Sequence, residues 1–395
     1  MLRKQVQQHC ENVFVEKFGY YPAGYVSCPA GANIIGGHNG QDGLNFSIAL
    51  NRHCTIAYGP RNHGQLRVIQ TAPFRPADAH QVDSIELGEE LRTQNHDLRA
   101  LHHIAGLMQR FGFEVRGADL VIENDIGYVD TLNDPLGRFS ALKLAFIKFQ
   151  ADVGKLKISV HSAAQMVLRS NMVGSHFVEN NAHPIVAAKA REGQALRIDR
   201  LLQQVNEVIF PDDLTTLVID TGKRQHDISG ELMKREHACQ QAIKVLRVDS
   251  LRSVSSEQLQ LKRSQMSAQT YQYAKFIVQE NERIQRLVEH GPKPSSTALL
   301  RAVSDSQLAL QDQYEVSCEE IDYLAYLIRA VCKRRGAVRL LGAGFGGYVL
   351  ALVTHEDAKK ILTSCIEPYR SKFGLHPQFF ISRPVSGIFD SDVYA

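Results

Sequence analysis

No run of apolar residues in this chain approaches the ~18 that a membrane-spanning helix needs. The first residues, MLRKQVQQHCENVFVEKFG, lack the apolar core of a secretion signal and read as an amphipathic helix. Charge of one sign is also missing: 45 Lys and Arg against 42 Asp and Glu leave +3. A dedicated nucleic-acid binder draws its affinity from a basic surface that releases counterions, and this balance excludes one. The seven cysteines, at 10, 28, 54, 239, 318, 332 and 365, form no CxxC pair. An odd, dispersed set suits reduced and mostly buried thiols better than a disulfide framework. Sixteen histidines are present, yet none sits in an HxxxH or HxH pair beside a carboxylate. His102 and His103 are adjacent and diverge on a helix; His53 and Cys54 point to opposite faces of a strand. No metal is implied. The expectation is a soluble, cytoplasmic protein with neither a membrane nor a nucleic-acid partner.

The 395 residues are 44% hydrophobic and 22% charged, the balance of a globular chain of one large or two ordinary domains. A chain of this length buries about three quarters of its unfolded surface and needs no staples. Gly19–Cys28 reads as a loop entering a short strand, and Cys28–Gly43 as a loop with five glycines around Ile34 and Ile35. Leu44–Tyr58 reads as paired strands and Gln65–Thr71 as another. Leu91–Phe111 has helical spacing and ends at Gly112. A strand at Ala118–Ile122, a polar loop from Glu123 to Arg138 and a helix from Ser140 to about Gln150 follow. Ser159–Arg191 reads as helix and loop. Leu214–Asp220 is a strand that opens a second domain, with a charged helix over 227–246. Residues 257–336 are helical around a polar loop at 291–296. Residues 339–353 form a Gly-rich turn between a helix and an alternating strand, before a helix (Glu356–Cys365) and a strand near Pro377–Ser382.

Three segments could bear chemistry. Four glycines within Gly342–Gly347 allow positive φ and let N–H groups approach an anion or another chain segment. The pattern is neither GxGxxG opening a helix nor a P-loop, so packing and binding are equally open. Cys28–Gly43 could meet a ligand through its backbone, or be a compact turn anchored by the two isoleucines. Asp134-Pro135-Leu136-Gly137 precedes a helix whose free N–H groups would favour phosphate, with Arg138 adding charge. Ser140 is alternatively a plain N-cap.

In this order the three segments resemble the galactokinases of the GHMP small-molecule kinase superfamily. The family pattern PGRVNLIGEHTDYNGG is echoed by Pro29–Gly43, PAGANIIGGHNGQDG, and TGAGFGGC by Leu341–Tyr348. Gln311–Asp322, QDQYEVSCEEID, is similar to DDYEVSCPELD. Arg116–Asp125, Asp220–Cys239 and Ser250–Ser255 also follow the family, so the resemblance covers essentially the whole chain. It implies an α+β fold of two GHMP kinase domains, 1–190 and 191–395, each a β-sheet with packed helices, and an active-site cleft between them. It implies Mg²⁺–ATP as cofactor. It also implies nucleotide contacts at Pro135, Gly137, Ser140, Gly342, Gly344, Gly346 and Gly347, and a sugar contact at His38.

The chain departs from the family where the chemistry lies. The motif's Arg position holds Gly31, its Glu position Gly37, and its sugar-binding Asp falls on Gly40 or Asn39, with Asp42 nearby. The phosphate motif PLGSGLSSSA is reduced to Pro135-Leu136-Gly137-Arg138-Phe139-Ser140-Ala141. The family's catalytic Asp corresponds to Asn181, with Glu179 close by, and a sugar-binding Tyr to Leu232. Phosphoryl transfer rests on positioning and electrostatic stabilisation, and one lost group costs ~10²–10³ in rate. The reading is a catalytically impaired, pseudokinase-like relative that keeps nucleotide, sugar or other small-molecule binding or acts on a protein partner. No catalytic residue carries over. The alternatives are an active ATP-dependent sugar or small-molecule kinase rescued by Arg138, Glu179 or Asp42, and a structural survivor in which the glycine turn only packs.

Overall fold

Val6, Cys10, Val13 and Phe14 recur on one face and are buried, which makes helix α1 (Arg3–Phe18) amphipathic and packs it on Ala57, Ile69 and Val121. The computed structural model describes residues 3–40, 42–71, 81–127, 134–172, 182–225 and 228–389. The chain packs as two units, neither of them a continuous stretch. One comprises Met1–Gly31, Ala49–Arg191 and Val385–Ala395; the other comprises Ala32–Ile48 and Glu192–Pro384.

The chain continues through β1 (Gly24–Ile35), β2 (Leu44–Pro60), β3 (Gln65–Thr71), β4 (Val82–Glu86), α2 (His96–Arg110) and β5 (Ala118–Asn124). Helices α3 (Arg138–Gly154), α4 (Val160–Met172) and α5 (His183–Lys189) complete the first unit. Its strand order is β4-β3-β5-β2, with β3 and β5 parallel and the other neighbours antiparallel. Cys28–Ile35, expected as loop, is strand: its residues are buried throughout. Gly31 lies in ordinary contact with His183 and Val186, and burial overrides the low strand propensity of Ala30, Gly31 and Ala32. Leu44–Tyr58, expected as two strands, belongs to a single strand of 17 residues. The polar Asn51-Arg52-His53 resembles a turn but stays extended at the surface. Helix α2 starts later than its spacing suggests, because the Asn95 side chain accepts from the N–H groups of Asp97 and Leu98 and fixes the start there.

The second unit runs β6 (Gln194–Asp199), β7 (Gln204–Ile209), β8 (Thr215–Asp220), α6 (Ser229–Leu246), α7 (Ser256–Leu261), α8 (Ala268–Val288), α9 (Ser296–Asp312) and α10 (Glu319–Cys332). It closes with β9 (Ala337–Leu341), β10 (Tyr348–Val353), α11 (His355–Ser364), α12 (Ile366–Phe373) and β11 (Gln378–Ser382). Strands β11-β8-β10-β9 form an antiparallel sheet. Leu217 and Ile219, Val338 and Leu340, and Val349 and Ala351 alternate along their strands onto one face. That face builds the core with Phe276, Tyr314, Ile321 and Leu324. Strand β6 pairs with β7 and with Leu44–Ser47 of β2. The Gly-rich turn, expected between a helix and a strand, joins two antiparallel strands instead, with Leu341 opposite Tyr348. The three residues Lys333–Arg335 end the preceding helix in a tight 3₁₀ turn and leave room for the short strand β9. Strands β4 and β7 are edge strands, and neither they nor β6, which pairs on both sides, has an alternating apolar signature.

Candidate functional site

In the second unit a buried ion pair holds the loop after β1. Arg339 of β9 and Glu280 of α8 lie 3.2 Å apart, with side chains 2% and 0% exposed. Arg339 donates to the Gly36 carbonyl at 2.7 Å and to Ser306 Oγ at 2.8 Å. Glu280 accepts from the Gly36 N–H at 3.1 Å and from Ser306 Oγ at 2.7 Å. Both polar groups of one glycine are thus bound by the two partners. Burial opposes the Glu280 carboxylate, but Arg339, Arg283, Ser306 and the Gly36 N–H outweigh it and lower its pKa. Gly36 has φ +96°, and a Cβ there would stand 2.6 Å from the Leu44 carbonyl; only glycine fits this approach.

The residues after Gly36 turn inward. Asn39 donates to the Leu44 carbonyl at 2.5 Å and to Asn281 Oδ1 at 3.0 Å, and accepts from the Gly37 N–H at 3.2 Å. Its amide is fully engaged. His38 is 9% exposed and meets Tyr314 edge-on, with ring centroids 5.7 Å apart. Burial and then the Arg339 charge push its pKa down to about 3, against a hydrogen bond to the Gly342 backbone, so the ring is neutral at pH 7. His38 Nε2 is buried without a partner.

The Gly342–Gly347 turn is stitched to its own unit. The Phe345 N–H donates to the Val316 carbonyl at 2.7 Å and the Gly347 N–H to the Lys223 carbonyl at 3.0 Å. Thr221 Oγ1 donates to the Gly347 carbonyl at 2.6 Å, and Gln225 donates to that of Gly344. A Cβ on Gly344 would fall 2.2 Å from the Val316 carbonyl, and one on Gly346 would fall 2.9 Å from Lys223 Cγ. Close approach to the chain itself therefore accounts for these two glycines. Arg235 of α6, 2% exposed, sits 5.1, 5.6 and 5.3 Å from the ring centroids of Tyr273, Tyr314 and Phe345 and donates to the carbonyls of Tyr314 and Glu315, both at 2.7 Å. One cation ties helix, turn and the Tyr314–Cys318 segment together.

In the first unit the start of α3 is already occupied. The Asp134 carboxylate accepts from the N–H groups of Arg138 at 2.7 Å and Phe139 at 2.9 Å. Those are the first donors of the helix, the ones an anion would use. Burial raises the Asp134 pKa, while the two N–H groups and the Arg138 and Lys143 charges oppose the rise. Gly137, with φ +69°, is the residue that caps α3. Ser140, expected as a candidate N-cap, is instead its third residue and is buried. The tight turn at Gly137 moves the cap three residues ahead of Ser140. Arg138 pairs with Asp97 of α2. His183 of α5, 2% exposed, packs against both Gly31 and Gly137: their Cβ positions would lie 3.4 Å from its Cδ2 and 2.7 Å from its Cβ. Burial lowers its pKa to about 4, and its Nε2 is buried without a partner.

Residues 295–371 match the family description "GHMP kinases C terminal". The chain is 25% identical over 391 residues to galactokinase of Haemophilus influenzae (strain PittEE), covering 96% of this chain and 98% of that one. It is 24% identical to galactokinase of Actinobacillus pleuropneumoniae serotype 3 over 97% and 98% of the two chains. Over nearly its whole length the chain thus resembles the galactokinases. The structure of Lactococcus lactis galactokinase complexed with galactose superposes with a TM-score of 0.83 at 20% identity, over 97% of this chain and 99% of that one. Methanococcus jannaschii mevalonate kinase gives 0.60 at 13%, over 92% and 98%, so the fold is that of the GHMP kinases.

Within this galactokinase-like frame the sequence-derived residues separate by unit. His38, Gly342, Gly344, Gly346 and Gly347 belong to the second unit, where His38 and Gly342 meet; Pro135, Gly137 and Ser140 belong to the first. Gly31, at the family's Arg position, is covered by His183. Asp42 lies near Arg200, whose charge it supports. Leu232 is on α6, half-buried. Asn181 and Glu179 lie outside the described residues. The sequence reading missed the roles of Asp134, His183, Glu280 and Arg339. Asp134 before a Pro-x-Gly turn and a helix was the one available signal, since an Asp there caps as readily as it flanks a phosphate loop.

The ion pair and the buried imidazoles have measurable consequences. Glu280→Ala leaves Arg339 buried and unpaired and should cost about 3–5 kcal/mol in urea unfolding, whereas combining it with Arg339→Met should recover much of that loss. A double variant no more stable than the single one would show that the pair does not act as a unit. His183 binds protons near pH 6.5 when unfolded but near 4 when folded. Between those values the unfolded chain holds more protons, so stability falls as pH drops, by about 1.4 kcal/mol per unit for each such imidazole. His38 acts in the same direction over a longer range, since its folded value is about 3. In urea titrations from about pH 7 to 5, His183→Gln should show a shallower loss than the parent; an equal slope would assign the acid sensitivity to other groups.

Proposed function

We propose that this galactokinase-like chain is catalytically impaired, and that it keeps weak nucleotide or other small-molecule binding as part of an interaction role in the cytoplasm, with a protein partner as the object of that role. The observation that carries the reading is Asp134. Its carboxylate holds the two N–H groups at the start of α3, which the family resemblance assigns to phosphate. A nucleotide phosphate brought to that helix start meets a fixed negative charge in place of donors. Like charges so juxtaposed cost several kcal/mol, and phosphoryl transfer depends on the phosphates being held in line.

Two further features support it. The place of the family's Arg side chain is taken by the imidazole of His183 against Gly31, and a neutral buried ring supplies no charge there. Asn39, one of the two positions for the sugar-binding Asp, spends its amide on Gly37, Leu44 and Asn281. Of the rescue residues for an active kinase, Arg138 is paired with Asp97 and Asp42 supports Arg200. The family resemblance assigns Mg²⁺–ATP contacts to the Gly342–Gly347 turn of one unit and, separately, to Pro135, Gly137 and Ser140 of the other, and the phosphoryl group is what that cofactor would supply.

The test is ADP formation from Mg²⁺–ATP at high protein concentration with galactose and a panel of other sugars. ADP at the sugar-free rate throughout is expected; sugar-dependent ADP would overturn the reading. Asp134→Ser keeps a capping oxygen and removes the charge, so its affinity for ATP by calorimetry should rise about tenfold or more. An unchanged affinity would show that the carboxylate does not govern phosphate access.

A further inference from the structure

One face of the β6–β7 ladder carries more positive charge than its partners neutralise. Asn206 lies opposite Arg197, and Leu44 and Phe46 lie opposite Asp199 and Arg197, so Arg197, Asp199 and Asn206 share that face. Arg252, from the 3₁₀ turn Leu251–Ser253, reaches the same point. Its guanidinium donates to Asp199 Oδ2 at 2.7 Å, and that of Arg197 approaches the same oxygen at 3.5 Å. Arg197 also donates to Asn206 Oδ1 at 3.1 Å, and Asp199 Oδ1 accepts from the Leu202 N–H at 3.2 Å.

Two guanidinium groups therefore converge on one carboxylate oxygen, and the side chain of Asp199 is 0% exposed. Burial lowers the Arg197 pKa; Asp199 supports its charge and Arg252 opposes it. The Nε–H groups of both arginines are buried and without a partner. A buried donor left unpaired costs its full desolvation, more so on a charged group. Both side chains still reach the surface, Arg197 at 16% and Arg252 at 12% exposure. The planar fork of a guanidinium matches an oxyanion that accepts two parallel bonds. Such an anion would supply the missing charge.

We propose that Arg197 and Arg252 form a binding site for a small oxyanion of the phosphate class, with Asp199 holding the two guanidinium groups in place and limiting the affinity by its own charge. The site lies within the second unit and does not depend on the nucleotide reading.

The probe is inorganic phosphate, titrated at constant ionic strength against chloride, and read by calorimetry and by the thermal midpoint of the full chain without nucleotide. Saturable stabilisation by phosphate and none by chloride is expected. Arg197→Met and Arg252→Met should each weaken phosphate binding by about tenfold or more. Asp199→Asn, which removes the competing charge and keeps the acceptor for Leu202, should tighten it. No saturable binding by the parent chain would overturn the proposal, as would binding that both arginine variants leave unchanged. If the arginine variants fail to fold, Asp199→Asn decides alone: affinity equal to or below that of the parent overturns the site.

Discussion

The placement of the His38 loop depends on one buried ion pair. Arg339 and Glu280 take up both the carbonyl and the N–H of Gly36, and through Ser306 they also satisfy each other. A buried charge pair contributes little net stability compared with apolar packing. Its value here is that a backbone glycine, which could adopt many conformations, is bound by two charged groups with defined directions. Asn39 and Asn281 then continue the same polar layer to Leu44. The loop is positioned by hydrogen bonds directed inward.

The fold was largely legible in the sequence, and the use of its motifs less so. The Tyr314–Cys318 segment and the Gly342–Gly347 turn carry the family resemblance, and the structure gives both a packing reason. Gly344 lies against Val316, and Arg235 stands among Tyr273, Tyr314 and Phe345. Long periodic helices such as α8 and α9 were readable because their apolar stripe is continuous. Strands β6 and β7 were not, because their side chains answer to an ion-pair layer and not to alternation. Cys28–Ile35 misled for a related reason: a buried strand of small residues has the composition of a loop.

The candidate site was legible as a list of losses but not as a set of replacements. Gly31 marks a missing arginine in the sequence; that His183 fills the space beside it depends on contact between residues about 150 positions apart, which spacing alone does not reveal. Glu280 and Arg339 were invisible for the same reason. Each looks like an ordinary charge in a helix or a strand, and only burial distinguishes it.

Asp134 has a consequence for how such a relative comes to exist. A helix start kept open for phosphate is, without ligand, an uncapped terminus whose donors must be served by water. An aspartate four and five residues before the two donors it binds is an intramolecular ligand, held at an effective concentration set by its short tether. It needs no encounter and never dissociates into solution. Where a bound ligand would stabilise such a terminus only conditionally, this carboxylate does so permanently, by the size of a helix cap, about 1 kcal/mol. In the proposed, catalytically impaired reading that cap carries no functional cost and leaves the scaffold better able to persist unliganded.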